Sequence, residues 1–229
     1  IARKVRERIP RPPYFRTMEV WNLAGGRALA KQASAVPVLG ARDFASEMKQ
    51  GLVIDAREPE AFAGGHVPGS VNVWLAGLPV FAGWLATETT RVYLVLPRLD
   101  DLEDALKHLA RVGIDAVEGV LAKGFEGWRD AGMPLATTGT VAPRELKETF
   151  DAHAVLDVRD DQEFEVEGHI PGARHLYVGY LDEHLDRVRR ELEAKPSVAV
   201  TCSVGHRSGL AVSLLERQGF RDVKTSSAA

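Results

Sequence analysis

The stretch Val155-Leu156-Asp157-Val158-Arg159, continued by Gly168-His169-Ile170-Pro171-Gly172, decides the fold because the chain contains this pattern twice. The earlier copy is Val53-Ile54-Asp55-Ala56-Arg57, continued by Gly65-His66-Val67-Pro68-Gly69. Each copy has an apolar pair, an Asp-x-Arg triplet, a phenylalanine seven residues after the aspartate, and a Gly-His-x-Pro-Gly turn. The copies lie roughly 100 residues apart, which is too far for a solenoid repeat and suits two tandem domains.

Both copies are embedded in the same succession of patterns. A helix-like segment precedes each copy, and a second apolar run, an amphipathic segment and a Gly-apolar pair follow it. Strands that alternate with helices over such a length predict an α/β fold. We therefore expect two domains, each a mainly parallel sheet flanked by helices. The helix-like segments are 41–49 and 143–150, the apolar runs 92–96 and 198–200, and the amphipathic segments 102–111 and 209–218.

The predicted domains occupy residues 34–136 and 137–229. Residues 1–33 fit neither copy, and we interpret them as a linker or a lead-in from an upstream domain. The first copy ends in a glycine-rich segment with a tryptophan, 123–128, which has no counterpart after the second copy. We therefore expect the second domain to be C-terminally short and to expose apolar surface.

Composition describes a globular chain and argues against several kinds of partner. The 229 residues are 45% hydrophobic and 27% charged, with a net charge of -3, which is ordinary for domains that bury a core. This charge gives no support for a nucleic-acid partner, and no apolar run approaches the roughly 20 residues of a membrane span. The single cysteine excludes an intramolecular disulfide and fits a reducing compartment, so we expect a cytoplasmic protein. Whether the protein forms a homo-oligomer is left open.

The single cysteine begins the stretch Cys202-Ser203-Val204-Gly205-His206-Arg207-Ser208, directly after the apolar run of the second copy. Ligands of parallel α/β sheets bind at the carboxyl ends of the strands, where this run ends. A strand, a short loop and the start of a helix bring together backbone N–H groups with positive dipole character. Such surroundings favour the thiolate form of a cysteine, which is the nucleophilic form. Cys202 is therefore the candidate nucleophile.

Taken together, the triplet 157–159, the turn 168–172 and the loop 202–208 resemble the rhodanese (thiosulfate sulfurtransferase) superfamily, and the resemblance covers residues 34–229. It implies a sulfurtransferase that moves sulfane sulfur from thiosulfate or a low-molecular-weight persulfide to a thiophilic acceptor through a Cys202 persulfide. It implies neither a metal nor another cofactor. The segment Arg11-Pro12-Pro13-Tyr14-Phe15 is similar to the junction in fusions of a metallo-β-lactamase-type persulfide dioxygenase with two rhodanese domains, which would place such a domain upstream.

The resemblance also implies roles for the residues around Cys202. Backbone N–H groups of the loop would hold the thiolate, the persulfide and the departing anion. Gly205 would permit the positive φ of a tight loop, Arg207 would pair with a sulfonate or carboxylate, and His206 would add charge or a hydrogen bond. The expected substrate-binding residues are Ser203, Val204, Gly205, His206, Arg207 and Ser208. The expected structural supports are Asp157, Arg159 and His169, whose pattern recurs in the copy without a thiol.

The first copy lacks the nucleophile. Counting back from Gly113 and Gly219, the two glycines after the amphipathic segments, aligns Cys202 with Leu96. The loop that follows Leu96, 97–101, has no thiol and no glycine, and it places two carboxylates where an anion would bind. We therefore expect the first domain to be catalytically silent.

Other interpretations of the cysteine loop stay open at this point. Tyrosine and dual-specificity phosphatases need Cys-x5-Arg, so that the guanidinium grips a phosphoryl group above the thiolate, whereas Cys202 to Arg207 is Cys-x4-Arg. The shorter loop favours a single sulfur over a phosphate. A lone cysteine is otherwise often a small buried hydrophobe. The remaining alternative is a non-turnover sulfur-relay or scaffold module of a fused persulfide dioxygenase, in which Cys202 only accepts sulfur.

Overall fold

The computed structural model describes residues 10–26 and 33–227, which form two compact units. The first unit covers Pro12–Thr137, and the second begins at Thr138. The predicted lead-in, 1–33, falls partly outside the described residues. Each unit contains one five-stranded sheet of described residues, and every strand pair in both sheets is parallel.

The first unit has the strand order β1-β5-β4-β2-β3. Its strands are β1 (Val38–Leu39), β2 (Leu52–Asp55), β3 (Val71–Asn72), β4 (Val92–Val95) and β5 (Val117–Leu121). Its helices are α1 (Tyr14–Leu23), α2 (Ala41–Glu47), α3 (Pro59–Gly64), α4 (Leu78–Leu85), α5 (Leu102–Arg111) and α6 (Gly124–Asp130).

The second unit repeats this topology with the strand order β6-β10-β9-β7-β8. Its strands are β6 (Gly139–Thr140), β7 (His153–Asp157), β8 (Arg174–His175), β9 (Ser197–Cys202) and β10 (Val223–Ser227). Its helices are α7 (Pro143–Glu148), α8 (Asp161–Val166), α9 (Leu181–His184), α10 (Asp186–Glu193) and α11 (His206–Arg217). The predicted fold, two tandem α/β domains with parallel sheets flanked by helices, is confirmed.

Local sequence explains why these segments form these elements. The strand β2 is buried along its whole length, as expected for a strand covered on both faces of a parallel sheet. Proline stands in the first turn of α7, where its missing N–H group costs nothing. The helices α5 and α11 are followed by Gly113 and Gly219, whose φ values of 82° and 93° suit a left-handed helix end.

The strand register confirms that Cys202 and Leu96 are equivalent. In the first unit, Asp55 of β2 pairs with Val95 of β4. In the second unit, Asp157 of β7 pairs with Thr201 of β9. Leu96 and Cys202 each come one residue later, at the carboxyl end of the middle strand of their sheet, where α/β folds bind their ligands.

The helix α1 packs on the first unit through two close approaches to glycine. The Tyr14 ring lies over Gly83 so closely that a Cβ atom there would come within 2.1 Å of it, and the Trp21 ring lies over Gly113. Residues 14–23, which matched neither copy of the repeat, therefore form a helix of this unit.

The two units differ in how one face of the sheet is covered. In the first unit, Phe125 and Trp128 of α6 pack into a core with Phe44 and Tyr93. In the second unit, the described residues after Cys202 contain no helix equivalent to α6, and the same face borders an open cleft of about 900 Å³. The apolar side chains of this cleft are Pro143, Leu146, Phe150, Ile170 and Pro171.

Candidate active site

Cys202 is the last residue of β9, and its side chain is buried, with 3% of the residue exposed. The backbone N–H group of Gly205 donates a hydrogen bond to Sγ at 3.1 Å, and the Ser208 hydroxyl oxygen lies 3.3 Å from the same sulfur. That hydroxyl donates to the Gly205 carbonyl oxygen at 2.9 Å. Since a hydroxyl has one proton and that proton goes to Gly205, the neutral thiol is the donor to Ser208, and the hydroxyl can donate to an ionised sulfur only if it turns away from the carbonyl.

The loop between β9 and α11 is shorter than the sequence predicts. The amphipathic segment was expected to begin at residue 209, but α11 begins at His206, so that only residues 203–205 link strand and helix. The first turn of α11 contains histidine, arginine and serine, which give no apolar periodicity. The twelve-residue helix starts beside Sγ, and its positive end favours negative charge there.

Gly205 precedes α11 with a φ of 93°, in the left-handed region that favours glycine. A side chain there would strain the loop and turn the N–H group away from Sγ. We predict that Gly205→Ala costs about 1–2 kcal/mol of stability and slows alkylation of Cys202 by iodoacetamide. Gly219→Ala is the matched control, because Gly219 has the same φ and open space around its Cβ position. Equal alkylation rates in the two variants would contradict the role of the Gly205 N–H group.

The guanidinium of Arg207 binds Glu163 of α8. Its two terminal nitrogens donate to the two carboxylate oxygens, one of them at 2.7 Å, and the Ser203 hydroxyl donates to Glu163 Oε1 at 2.8 Å. Arg207 also lies 3.0 Å from the Ser203 hydroxyl oxygen. Both charged side chains are 18% exposed. The prediction that Arg207 binds a substrate anion stays a prediction.

The guanidinium of Arg207 lowers the pKa of Glu163 from 4.5 to about 2. A lowered carboxyl pKa stabilises the fold at pH values above the unfolded value of 4.5, and this contribution is lost as the pH falls toward 2. The same contact raises the pKa of Arg207. The pair is therefore fully charged throughout the neutral range.

Glu163 was missed in the sequence, although the repeat contains a signal for it. The alignment of the two Asp-x-Arg triplets places Ala61 at the position of Glu163, and the alignment of Leu96 with Cys202 places Asp101 at the position of Arg207. The two partners are thus replaced together in the copy without a thiol. A charged position that changes between otherwise matching copies marks a difference in local chemistry.

The three expected structural supports lie at the cleft beside Cys202. Arg159 donates to both carboxylate oxygens of Asp157, at 2.7 Å for the shortest contact, and to the Gly168 carbonyl oxygen at 2.7 Å. The His169 ring is stacked on Phe164 at 3.8 Å, and its Nδ1 lies 3.0 Å from the Phe164 carbonyl oxygen. The ion pair thus ties the Gly-His-x-Pro-Gly turn to the end of β7, and the histidine ties the turn to α8.

The remaining loop residues differ in exposure. Val204 lies at the tip of the loop and is 66% exposed, whereas His206 is half-buried at the start of α11. Among the described residues, no group of three or more histidine, cysteine, aspartate or glutamate side chains is arranged to hold a metal ion. None of the helices in the described ranges is long and apolar enough to span a bilayer.

In the first unit, side chains of the loop after Leu96 bond to the loop itself. The Asp101 carboxylate accepts the Arg98 N–H group at 3.1 Å, and Asp100 forms an exposed ion pair with Arg98 at 2.8 Å. A carboxylate of the chain thus takes a backbone donor of the loop, whereas in the second unit the donor from Gly205 goes to sulfur. That the first unit is catalytically silent stays a prediction.

We predict that a cysteine alone does not activate the first unit. Leu96→Cys, made in a Cys202→Ser background, is expected to form no thiocyanate from thiosulfate and cyanide above that background, because Asp100 and Asp101 repel the anionic donor. Tryptophan fluorescence serves as the folding control, since every tryptophan lies in residues 12–137. Turnover by a folded double variant would show that the carboxylates do not silence this loop.

A known protein family matches most of the chain. The Rhodanese-like domain family matches residues 41–131 and 142–227, so the chain belongs to the rhodanese family and contains two rhodanese-like domains. Its relatives include the putative sulfur carrier protein YrkF of Bacillus subtilis (strain 168), 27% identical over 103 residues, which are 45% of this chain and 53% of YrkF. The putative sulfurtransferase YtwF of the same organism is 31% identical over 91 residues, which are 40% of this chain and 84% of YtwF. The chain thus spans about half the length of YrkF.

Solved structures to which the chain is similar include a thiosulfate sulfurtransferase from Pseudomonas aeruginosa. It is 21% identical, with a TM-score of 0.39, and the match covers 91% of this chain and 49% of that one. A second is SseA from Escherichia coli, described as a 3-mercaptopyruvate sulfotransferase, which is 16% identical with a TM-score of 0.37. That match covers 84% of this chain and 98% of SseA.

Proposed function

We propose that the protein is a sulfurtransferase that moves sulfane sulfur from thiosulfate or a low-molecular-weight persulfide to a thiophilic acceptor through a persulfide on Cys202. The observation that carries this proposal is the position of Sγ, at the end of β9, facing the Gly205 N–H group and the start of α11. The equivalent strand end in the first unit has leucine. Family membership supports sulfur transfer as the general chemistry.

The reaction proceeds in two displacements. The Cys202 thiolate attacks the outer sulfur of the donor, a new S–S bond forms, and the donor's S–S bond breaks. Sulfite leaves thiosulfate with the bonding electron pair, or a thiolate leaves a persulfide. An acceptor such as cyanide, sulfite or a thiol then attacks the outer sulfur of the Cys202 persulfide, and the thiolate is regenerated. Neither step needs an external oxidant or reductant.

The loop supplies what these displacements need. Negative charge resides on sulfur in the thiolate and in the persulfide, and the Gly205 N–H group with the positive end of α11 stabilises it. The Ser208 hydroxyl is close enough to turn toward the sulfur. Arg207 contacts Glu163 and Ser203, whereas a phosphatase needs its arginine above the thiolate. This arrangement favours sulfur over a phosphoryl group.

Steady-state kinetics test the proposed reaction. With thiosulfate and cyanide varied together, a persulfide intermediate predicts parallel double-reciprocal lines, because the first product leaves before the acceptor binds. A glutathione-type persulfide in place of thiosulfate shows which donor has the higher kcat/KM. Intersecting lines would require both substrates to be bound at once, and this would contradict the covalent route.

A sulfur-relay role is the second candidate, and the name of YrkF, a putative sulfur carrier, favours it. In this role Cys202 accepts sulfur from a neighbouring enzyme, such as a fused persulfide dioxygenase, and passes it to a particular partner. The relay predicts a Cys202 persulfide that forms in one step but does not turn over with small acceptors. Sustained thiocyanate formation would exclude it.

A further inference from the structure

Glu163 lies outside the cysteine loop but is bonded to both of its ends. The Ser203 hydroxyl, next to Cys202, donates to Oε1 at 2.8 Å, and Arg207 donates to both carboxylate oxygens. The N–H group that faces Sγ belongs to Gly205, between these two attachment points. One carboxylate therefore restrains the segment that carries the hydrogen-bond donor of the sulfur.

Glu163 is itself held in place at the start of α8. Its N–H group donates to the Asp160 side chain at 2.9 Å, and its Oε2 accepts the Asp160 N–H group at 3.2 Å. This reciprocal capping box fixes the first turn of the helix. These bonds fix the position of the cysteine loop relative to α8. This helix directly follows β7 and its Asp157–Arg159 pair.

The first unit provides an internal comparison for this arrangement. The positions of Glu163, Ser203 and Arg207 are occupied there by Ala61, Pro97 and Asp101. The ion pair Asp55–Arg57, by contrast, is kept in the first unit, at 2.6 Å. The fold therefore forms without the three bonded side chains. These side chains occur in the copy that contains the thiol.

We propose that Glu163 is a positioning residue for sulfur transfer, which acts through Arg207 and Ser203 to hold the Gly205 N–H group against Cys202 Sγ. The proposal rests on the sulfur-transfer function in that Cys202 is the nucleophile. It assigns the guanidinium of Arg207 to the loop rather than to the substrate. The bidentate geometry and the shared burial of the pair support this assignment.

If Arg207 bound the substrate instead of the loop, substitution of Glu163 would change KM and the alkylation rate in the opposite direction. If Arg207 bound the anionic group of the donor, Glu163 would compete for it, and loss of Glu163 would lower KM for thiosulfate. If Glu163 acted only as a charge, its removal would favour the thiolate and speed alkylation of Cys202. A positioning role predicts slower alkylation and a lower kcat, because the loop loses its restraint.

The test compares Glu163→Ala, Arg207→Ala and the double variant with the wild-type chain. We expect each single variant to show about tenfold slower alkylation of Cys202 by iodoacetamide at neutral pH and about tenfold lower kcat with thiosulfate and cyanide. The alkylation pH profile should move to higher pH in each variant. Because the two residues act as a unit, the double variant should be no worse than either single one.

Glu165→Ala is the matched control, since Glu165 is an exposed carboxylate on the same helix. It should leave alkylation and turnover unchanged. Glu163→Gln covers the case in which Glu163→Ala fails to fold, because glutamine keeps the side-chain size and an acceptor oxygen for Ser203. Losses that add in the double variant, faster alkylation in Glu163→Gln, or a lower KM in Glu163→Ala would each overturn the proposal.

Alkylation separates this proposal from the function on which it rests. The reagent reports on the thiol and its loop whether or not sulfur is transferred. If the wild-type chain forms no thiocyanate, the proposed sulfurtransferase fails. If Glu163→Ala and Arg207→Ala leave the alkylation profile at its wild-type position, the positioning role fails, even when the wild-type chain turns over.

Discussion

Cys202→Ser is expected to reduce thiocyanate formation from thiosulfate and cyanide to the uncatalysed rate. A serine hydroxyl fits the same site but is neutral at the pH of the assay, so it does not displace sulfite from the donor sulfur. We expect a loss of at least about 10³-fold, larger than for any other single substitution in the loop. The measurement is the initial rate of thiocyanate formation by equal amounts of the two proteins.

A second variant and a spectroscopic control show whether the loss of activity in Cys202→Ser comes from the missing sulfur. Cys202→Ala removes the side-chain hydroxyl as well, and it should be as inactive as Cys202→Ser if the sulfur itself is required. Far-ultraviolet circular dichroism should be unchanged in both variants, because each replaces one small side chain by another. Turnover by either variant near the wild-type rate would remove Cys202 from the mechanism.

Arg57→Ala is expected to destabilise the first unit by about 3–5 kcal/mol, since it leaves the buried carboxylate of Asp55 without its partner. Asp55 is 0% exposed, and Arg57 donates to it at 2.6 Å and to the Gly65 carbonyl oxygen at 2.8 Å. Burial already raises the pKa of Asp55, and the guanidinium opposes that shift. Loss of the arginine removes the charge that opposes the raised pKa of Asp55. It also removes the hydrogen bond that holds the Gly65 carbonyl oxygen of the turn.

Tryptophan fluorescence during urea unfolding measures this effect in the first unit alone. All four tryptophans of the chain lie within residues 12–137, so the signal does not report on the second unit. The matched control is Lys107→Ala, which breaks an exposed pair with Glu103 and should leave the midpoint nearly unchanged. A midpoint for Arg57→Ala equal to that of the control would mean that the buried pair does not stabilise the unit.

The repeat made most of the fold predictable. Two copies of an apolar pair with an Asp-x-Arg triplet predict two equivalent parallel sheets, and the register of Asp55 and Asp157 confirms that Leu96 and Cys202 are equivalent. The helix 102–111 was predicted with its observed ends, because its apolar positions recur on one face and Gly113 closes it.

Elements with little periodicity were not predictable in the same way. The edge strands β1, β3, β6 and β8 are two residues long, which is too short for an alternating pattern. The early start of α11 depends on Gly205 and on a polar first turn. Local patterns in one sequence do not report such features.

The contact between Glu163 and Arg207 depends on tertiary structure. The two residues are 44 positions apart, and they meet because β7 and β9 are neighbours in the sheet. The sequence resemblance implies a substrate-binding role for Arg207 but gives no information on its contact with Glu163. The sequence signal for this contact is that Glu163 of the second copy is replaced by Ala61 in the first copy.

The most direct test of the central claim, that a persulfide on Cys202 carries the transferred sulfur, is the mass of the peptide that contains Cys202. The protein is treated with thiosulfate without an acceptor, freed of donor, and digested. We predict that this peptide gains the mass of one sulfur atom, that one sulfite is released per protein, and that cyanide removes the added sulfur as thiocyanate. Thiocyanate formation during turnover without any sulfur adduct on Cys202 would contradict the account.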